Sequence, residues 1–199
     1  LSRFMNEFSK FILEKDVLLT EYSPIYAREY LVDTQSKEFI YGVPSEVYEL
    51  DETDKKILKE LADNARISIL DLSEKTNLTR DIINYRIKKL TKEGIIVQYR
   101  CYPNLPKIGI NHYKVIFRTK NLNEEQEEKI RQYVATHKKV TQFLKLIGSW
   151  DLEIEFETEN EDELYKSLTE IRKKFSDIIR DFDIIRITET YKYNYFPFD

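Results

Sequence analysis

Arg80, Asn84, Tyr85, Lys88 and Lys89 lie within one stretch of ten residues, and all are types that contact nucleic acid. An arginine guanidinium can pair with guanine through two hydrogen bonds, and an asparagine amide can do the same with adenine. A lysine ammonium is a point charge suited to phosphate, which positions a protein without reading sequence. From Thr79 to Lys92 five basic side chains (Arg80, Arg86, Lys88, Lys89, Lys92) stand against the single acid Asp81, a local charge of +4. That is the electrostatic footprint of a phosphate-binding surface. The whole chain carries −4, but unevenly. Residues 1–50 hold 5 basic and 9 acidic side chains, residues 51–100 hold 11 and 9, and residues 101–199 hold 16 and 18. Only the middle stretch is positive, so overall acidity does not count against DNA.

Other chemistries find little support. Cys101 is the only cysteine and His112 and His137 the only histidines, so no internal disulfide or thiolate cluster can form, and no metal or other cofactor is expected. No catalytic constellation stands out. Glu153, Glu155 and Glu157 alternate along one strand and offer oxygens. The expected role is a solvated or partner-facing stripe, paired across strands with Lys145 or Arg186, rather than a metal site. No apolar run approaches the roughly 20 residues of a membrane span, and Leu1 to Lys10 shows no secretory pattern. The expected location is the cytoplasm.

The elements that must position the basic segment follow from caps and periodicity. Asp51 can cap a helix with Asp54 at its third position, and Ile57, Leu58, Leu61 and Ala62 recur at helical spacing. Asn64-Ala65-Arg66 breaks it. Ser68 with Asp71 starts a short second helix, buried through Ile69, Leu70, Leu72 and Leu78. Thr76-Asn77-Leu78-Thr79 makes a tight turn. Thr79 caps a third helix whose core face is Ile82, Ile83, Ile87 and Leu90, and Gly94 ends it. Ile95 to Arg100 is β-branched and reads as a strand, the wing. Residues 51–100 thus form a winged helix-turn-helix domain.

Residues 101–199 read differently. Strands are expected at His112–Thr119, Val140–Ile147, Asp151–Thr158 and Ile184–Tyr195, with helices at Asn123–His137 and Glu161–Phe175. The fold class is therefore α+β, a winged helix-turn-helix domain followed by a ferredoxin-like βαββαβ domain. Val115, Phe117, Leu144, Leu146, Ile154, Phe156, Ile185 and Ile187 are more apolar than two helices on one face require. They predict an open apolar sheet face that a partner covers. The first residues echo the last at one fixed offset: Tyr26-Ala-Arg-Glu-Tyr30-Leu31 aligns with Tyr191-Lys-Tyr-Asn-Tyr195-Phe196. Phe4–Leu13 and Val17–Leu31 then read as the last helix and strand of a second ferredoxin-like copy (residues 1–31), and residues 32–50 as a linker. The expectation is a fragment of a longer tandem protein.

These residues resemble the Lrp/AsnC family of bacterial and archaeal transcription regulators. The likeness spans residues 50–197: LDETDKKIL at 50–58, NARIS at 64–68, LTRDIINYRIKKL at 78–90, EGII at 93–96, Ile147 to Asp151, and Tyr193 to Pro197. Residues 1–31 resemble the tail of another sensing domain, as in archaeal members that carry the two-domain unit twice. The resemblance implies a double-stranded-DNA-reading domain joined to an oligomerisation and effector domain. It implies a homodimer or higher homo-oligomer, no enzymatic activity, and an amino acid or other small effector near Gly148, Trp150 and Asp151. Trp150 departs from the family's usual smaller or polar residue. Expected DNA contacts are Thr79, Arg80, Asn84, Tyr85, Lys88 and Lys89, with Arg100 at the wing end. Arg86 either touches phosphate or braces the first helix. The competing readings are a siroheme-decarboxylase-like enzyme, against which two scattered histidines and an intact basic helix argue, and an oligomerisation module that does not bind DNA.

Overall fold

The computed structural model describes residues 2–31, 39–42 and 46–198 and divides into two units. One comprises residues 1–43 and 105–188, the other residues 44–104 and 189–199. The stretch expected as a linker lies partly outside the described residues; within it, Phe39–Tyr41 forms a short strand.

In the first unit, helix α1 (Ser2–Phe8) and a 3-10 turn (Ser9–Phe11) precede strands β1 (Leu19–Ile25) and β2 (Phe39–Tyr41). The βαββαβ order follows as β3 (Asn111–Thr119), α5 (Glu124–Ala135), β4 (Val140–Ile147), β5 (Leu152–Thr158), α6 (Glu161–Lys174) and β6 (Ile179–Ile187). Asn123 caps α5 with a reciprocal box to Gln126, and Asn160 caps α6. Acids in the first turn of α6 and Arg172, Lys173 and Lys174 in its last suit the helix dipole. The described sheet runs β2-β1-β4-β5-β3-β6, wholly antiparallel. Its β4-β5-β3-β6 portion has the ferredoxin-like order.

The last strand departs from expectation. It begins at Ile179 rather than Ile184 and stops at Ile187 rather than Tyr195. Its partner β3 offers pairing only between Thr119, opposite Ile179, and His112, opposite Ile187. No pairing with β3 is made past Ile187, and residues 189–198 join the other unit.

The apolar residues of β3 and β5 also sort differently. Val115, Phe117, Ile154 and Phe156 pack with Ile130 and Val134 of α5 and Leu164, Leu168 and Ile171 of α6. Alternation then sends His112, Lys114, Glu153, Glu155 and Glu157 to the opposite face. That face is not the continuous apolar surface that the strand composition suggested. It is apolar around Ile116, Leu146 and Trp150, with Leu18 and Leu144 against them, and ionic elsewhere. The glutamate stripe does make ion pairs, but not with Lys145 or Arg186. Lys114 Nζ lies 2.6 Å from Glu153 and 2.7 Å from Glu155, His112 Nε2 lies 3.0 Å from Glu155, and Arg28 grips Glu157. Lys145 instead meets Glu127 on α5, and Arg186 meets Asn111. Burial alone would raise the Glu155 carboxyl. The hydrogen bond with His112 and the charge of Lys114 outweigh it and bring Glu155 to about 2.

In the second unit, α2 (Glu52–Asp63), α3 (Ile69–Thr76) and α4 (Arg80–Lys92) enclose a small core of Ile57, Leu72 and Ile83, with Leu61, Ile67, Ile69, Leu78 and Ile87 against it. Leu70 and Ile82, expected inside, are 48% and 42% exposed. The inward stripe of α4 is Ile83, Ile87 and Leu90, and Ile82 stands just off it. The C-terminal segment completes this unit: the Tyr193 ring stacks on Tyr102 at 4.6 Å, and Asn194 Nδ2 donates to Asp63 at 2.6 Å.

Candidate nucleic-acid interface

Local hydrogen bonds fix the three helices that present the basic segment. Asp51 accepts from the Asp54 backbone N–H and Asp54 reaches back, closing a capping box on α2. Ser68 Oγ accepts the Asp71 N–H at 3.0 Å, starting α3. Asn77 adopts a left-handed conformation, φ 56°, which turns the chain sharply after α3. Ser73 Oγ donates to the Leu78 carbonyl across that turn at 2.5 Å, and Thr79 caps α4.

Arg80, Asn84 and Lys88 occupy one row of α4 at i, i+4 spacing, and all three are exposed. Tyr85, 64% exposed, lies on the adjoining row, opposite the inward stripe. Lys89 leans on Tyr48, with its ammonium 5.3 Å from the ring centre. Thr79 commits its hydroxyl to the cap. Arg86 is engaged elsewhere: its Nη1 lies 2.6 Å from Asp51 and 3.2 Å from Asp54. The Asp54 side chain is 1% exposed, so this guanidinium serves a buried carboxylate. Of the two roles left open for Arg86, these contacts support the brace.

The expected wing strand does not form. Residues 95–100 carry no strand, and the Ile95 and Ile96 N–H groups both return to the Leu90 carbonyl at 2.9 and 3.1 Å. Gly94, φ 73°, permits that return. β-branched composition favours a strand only where another offers its edge, and none does among the described residues. Arg100, half-buried, follows this irregular segment.

The turn from Gly148 to Asp151 lies in the other unit. Trp150 is 4% exposed, and the Arg118 guanidinium stacks on its ring at 3.6 Å. Asp151 Oδ2 accepts from the Thr119 N–H at 2.6 Å and from its hydroxyl at 2.9 Å. A Cβ on Gly148, φ 149°, would come within 2.9 Å of the Val17 carbonyl and 2.8 Å of the Leu18 side chain. The close approach that this glycine permits is therefore to the chain's own N-terminal segment. His112 and His137 lie on opposite sides of the sheet, the latter edge-on to Phe156.

Comparison with known proteins agrees with this geometry. Residues 50–97 match the family model described as winged helix-turn-helix DNA-binding. An uncharacterized HTH-type transcriptional regulator of Pyrococcus furiosus is 32% identical over 122 residues, 61% of this chain and 81% of the relative. The solved structure of a transcriptional regulatory protein from Pyrococcus furiosus, a member of the AsnC family, superposes with a TM-score of 0.58 at 26% identity, covering 72% of this chain and 93% of that one. A Neisseria meningitidis transcriptional regulator, solved as a complex with L-Met, gives 0.66 at 20% identity, covering 74% and 95%. No helix among the described residues is long and apolar enough to cross a membrane. The helix-turn-helix, the ferredoxin-like unit that follows it and the relatives that share both place the chain in the Lrp/AsnC family of DNA-binding transcription regulators.

Proposed function

We propose that the chain reads duplex DNA through α4, with Arg80, Asn84 and Tyr85 at base edges and Lys88, Lys89 and Arg100 at phosphates, and that it does so as a dimer or higher homo-oligomer. The exposed row Arg80-Asn84-Lys88 carries this reading. It puts two side chains able to make bidentate base contacts and one point charge on a single solvent-facing edge. One helix-turn-helix buries too little surface for tight specific binding, so symmetric pairing on a palindrome supplies the rest. The test is a salt series. Replacing both lysines (Lys88→Ala with Lys89→Ala) should flatten the log–log salt dependence of binding by roughly one to two, about 0.9 for each phosphate no longer neutralised. An unchanged slope removes these lysines from the interface.

The Gly148–Asp151 turn is proposed to be plugged by the protein itself. Trp150 fills it, Arg118 closes over Trp150, and the Asp151 carboxylate is already engaged. Thermal-shift screening with the twenty amino acids should leave the wild-type melting temperature unmoved. Trp150→Ala should respond to at least one of them, because a ligand at about 100 times its Kd adds roughly 2.7 kcal/mol of stability. A response by the wild type would show that the turn is open after all.

A further inference from the structure

Ile82 sits where neither the core nor the helix accounts for it. It is 42% exposed and stands outside the cluster that Ile57, Leu72 and Ile83 form. It occupies the third position of α4, where its backbone N–H donates to the Thr79 cap. At that position α2, α3, α5 and α6 place Asp54, Asp71, Gln126 and Glu163. An acid or amide there can reach back to the cap residue or suit the positive end of the helix dipole. Isoleucine does neither, and its β-branch loses rotamer freedom in a helix. Keeping an acid away from DNA phosphates accounts for the missing charge. It does not account for an aliphatic side chain in preference to glutamine, serine or lysine.

The neighbours of Ile82 show what it faces. Tyr85 follows at i+3 and Lys89 at i+7, so the three share one stripe of α4. The exposed arc of the helix runs from the row Arg80-Asn84-Lys88 through Tyr85 to Ile82, opposite the inward Ile83, Ile87 and Leu90. One edge of that arc is polar and the other is apolar. We propose that Ile82 is a specificity-determining residue that packs on the 5-methyl group of a thymine in the operator.

The chemistry of the groove selects this partner. Adenine, guanine and cytosine offer hydrogen-bond donors and acceptors on the major-groove floor, and thymine adds to its O4 the one methyl group that any of the four bases presents there. Against a donor or acceptor an aliphatic side chain only displaces water, which costs free energy. Against the methyl group it buries apolar surface. The position also fits, because the N-terminal residues of the second helix in a helix-turn-helix are those that reach base edges. This inference rests on the reading that α4 enters the major groove, and it names the base that the apolar edge selects.

The test uses the full chain and a duplex that the wild-type protein has selected from a random pool. Each thymine is replaced in turn by deoxyuridine, which pairs identically and lacks only the 5-methyl group. The wild type should bind about fourfold more weakly at one thymine or more, the effect of one methyl group left unburied. Ile82→Ala should bind the thymine duplex about threefold more weakly or worse, and should not distinguish it from the uracil duplex at that position. Ile82→Gln, which restores at the third position the residue type that α5 carries there, should melt no lower than wild type and be equally blind to the methyl group. A folded Ile82→Ala chain that still loses about fourfold on the same uracil overturns the assignment. So does a wild type indifferent to every uracil. Parallel titrations of Arg80→Ala and Asn84→Ala separate this inference from the reading beneath it. If those two lose sequence preference while Ile82→Ala keeps its methyl discrimination, Ile82 is not a reader and α4 still is. If none of the three changes the preference, α4 is not the reading element and both fail.

Discussion

Arg86→Ala should lower the stability of the helix-turn-helix unit by about 2–3 kcal/mol, and it should do so without altering the salt dependence of DNA binding. The guanidinium is the cation that faces Asp54, whose side chain is 1% exposed. Removing one partner of a buried pair leaves the other charge uncompensated, at a typical cost of about 3–5 kcal/mol. Arg86 itself is 25% exposed, so water can partly replace it, which brings the expectation toward the lower end. The effect reaches further than one ion pair, because Asp54 and Asp51 also form the capping box of α2. In a unit of this size a loss of 1 kcal/mol moves the midpoint by roughly 4–8 °C. Thermal melts of the full chain followed by circular dichroism should show the unfolding of this unit moving down by about 10 °C or more. Arg86→Lys should fall between: the one nitrogen Nη1 makes both contacts, so a point cation can partly stand in for it, but the ammonium lacks the planar guanidinium's geometry. If Arg86→Ala melts like wild type but flattens the salt slope by about one, the residue serves phosphate and the brace is wrong.

What was legible in the sequence depended on how local its cause was. Asp51, Ser68 and Thr79 could be named as caps because a cap is decided by a side chain and the backbone three residues on. The inward positions of α4 followed from period alone, except that Ile82 and Ile83 are adjacent and only one can point at Ile57 and Leu72. The wing could not be judged this way. Ile95 to Arg100 have the composition of a strand, and whether they form one depends on a partner that local pattern does not reveal. The same gap explains the sheet face. Alternation in β5 correctly separated Leu152, Ile154 and Phe156 from the three glutamates, but the partners of those glutamates are set by topology. Arg28 reaches Glu157 from 129 residues away, and no period or motif encodes that pairing. Nor could the repeat between the two ends of the chain, though visible as sequence, say that the first copy sits against β4.

Replacing Asn84 or Arg80 by alanine should cost about 1–3 kcal/mol on the preferred operator and much less on random duplex. The two side chains sit one turn apart on the exposed row of α4, near its N-terminal half. In helix-turn-helix proteins that half of the second helix of the motif faces base edges. Neither residue supports the fold. The core beneath them is Ile83, Ile87 and Leu90, and the caps and the brace are made by Thr79 and Arg86. Weaker binding at an unchanged melting temperature would therefore report a base contact. The two substitutions should also differ in kind. Arg80→Ala removes a charge and should weaken random-sequence binding somewhat, with a small fall in salt slope. Asn84→Ala removes only a neutral amide and should leave both untouched. A selected-operator titration beside a random-duplex titration, at one fixed salt concentration, separates these cases. Equal losses on the two duplexes for Asn84→Ala would mean that this row lies along the backbone rather than in the groove. Tyr85, on the adjoining row, would then be the first residue to test as the reader of sequence.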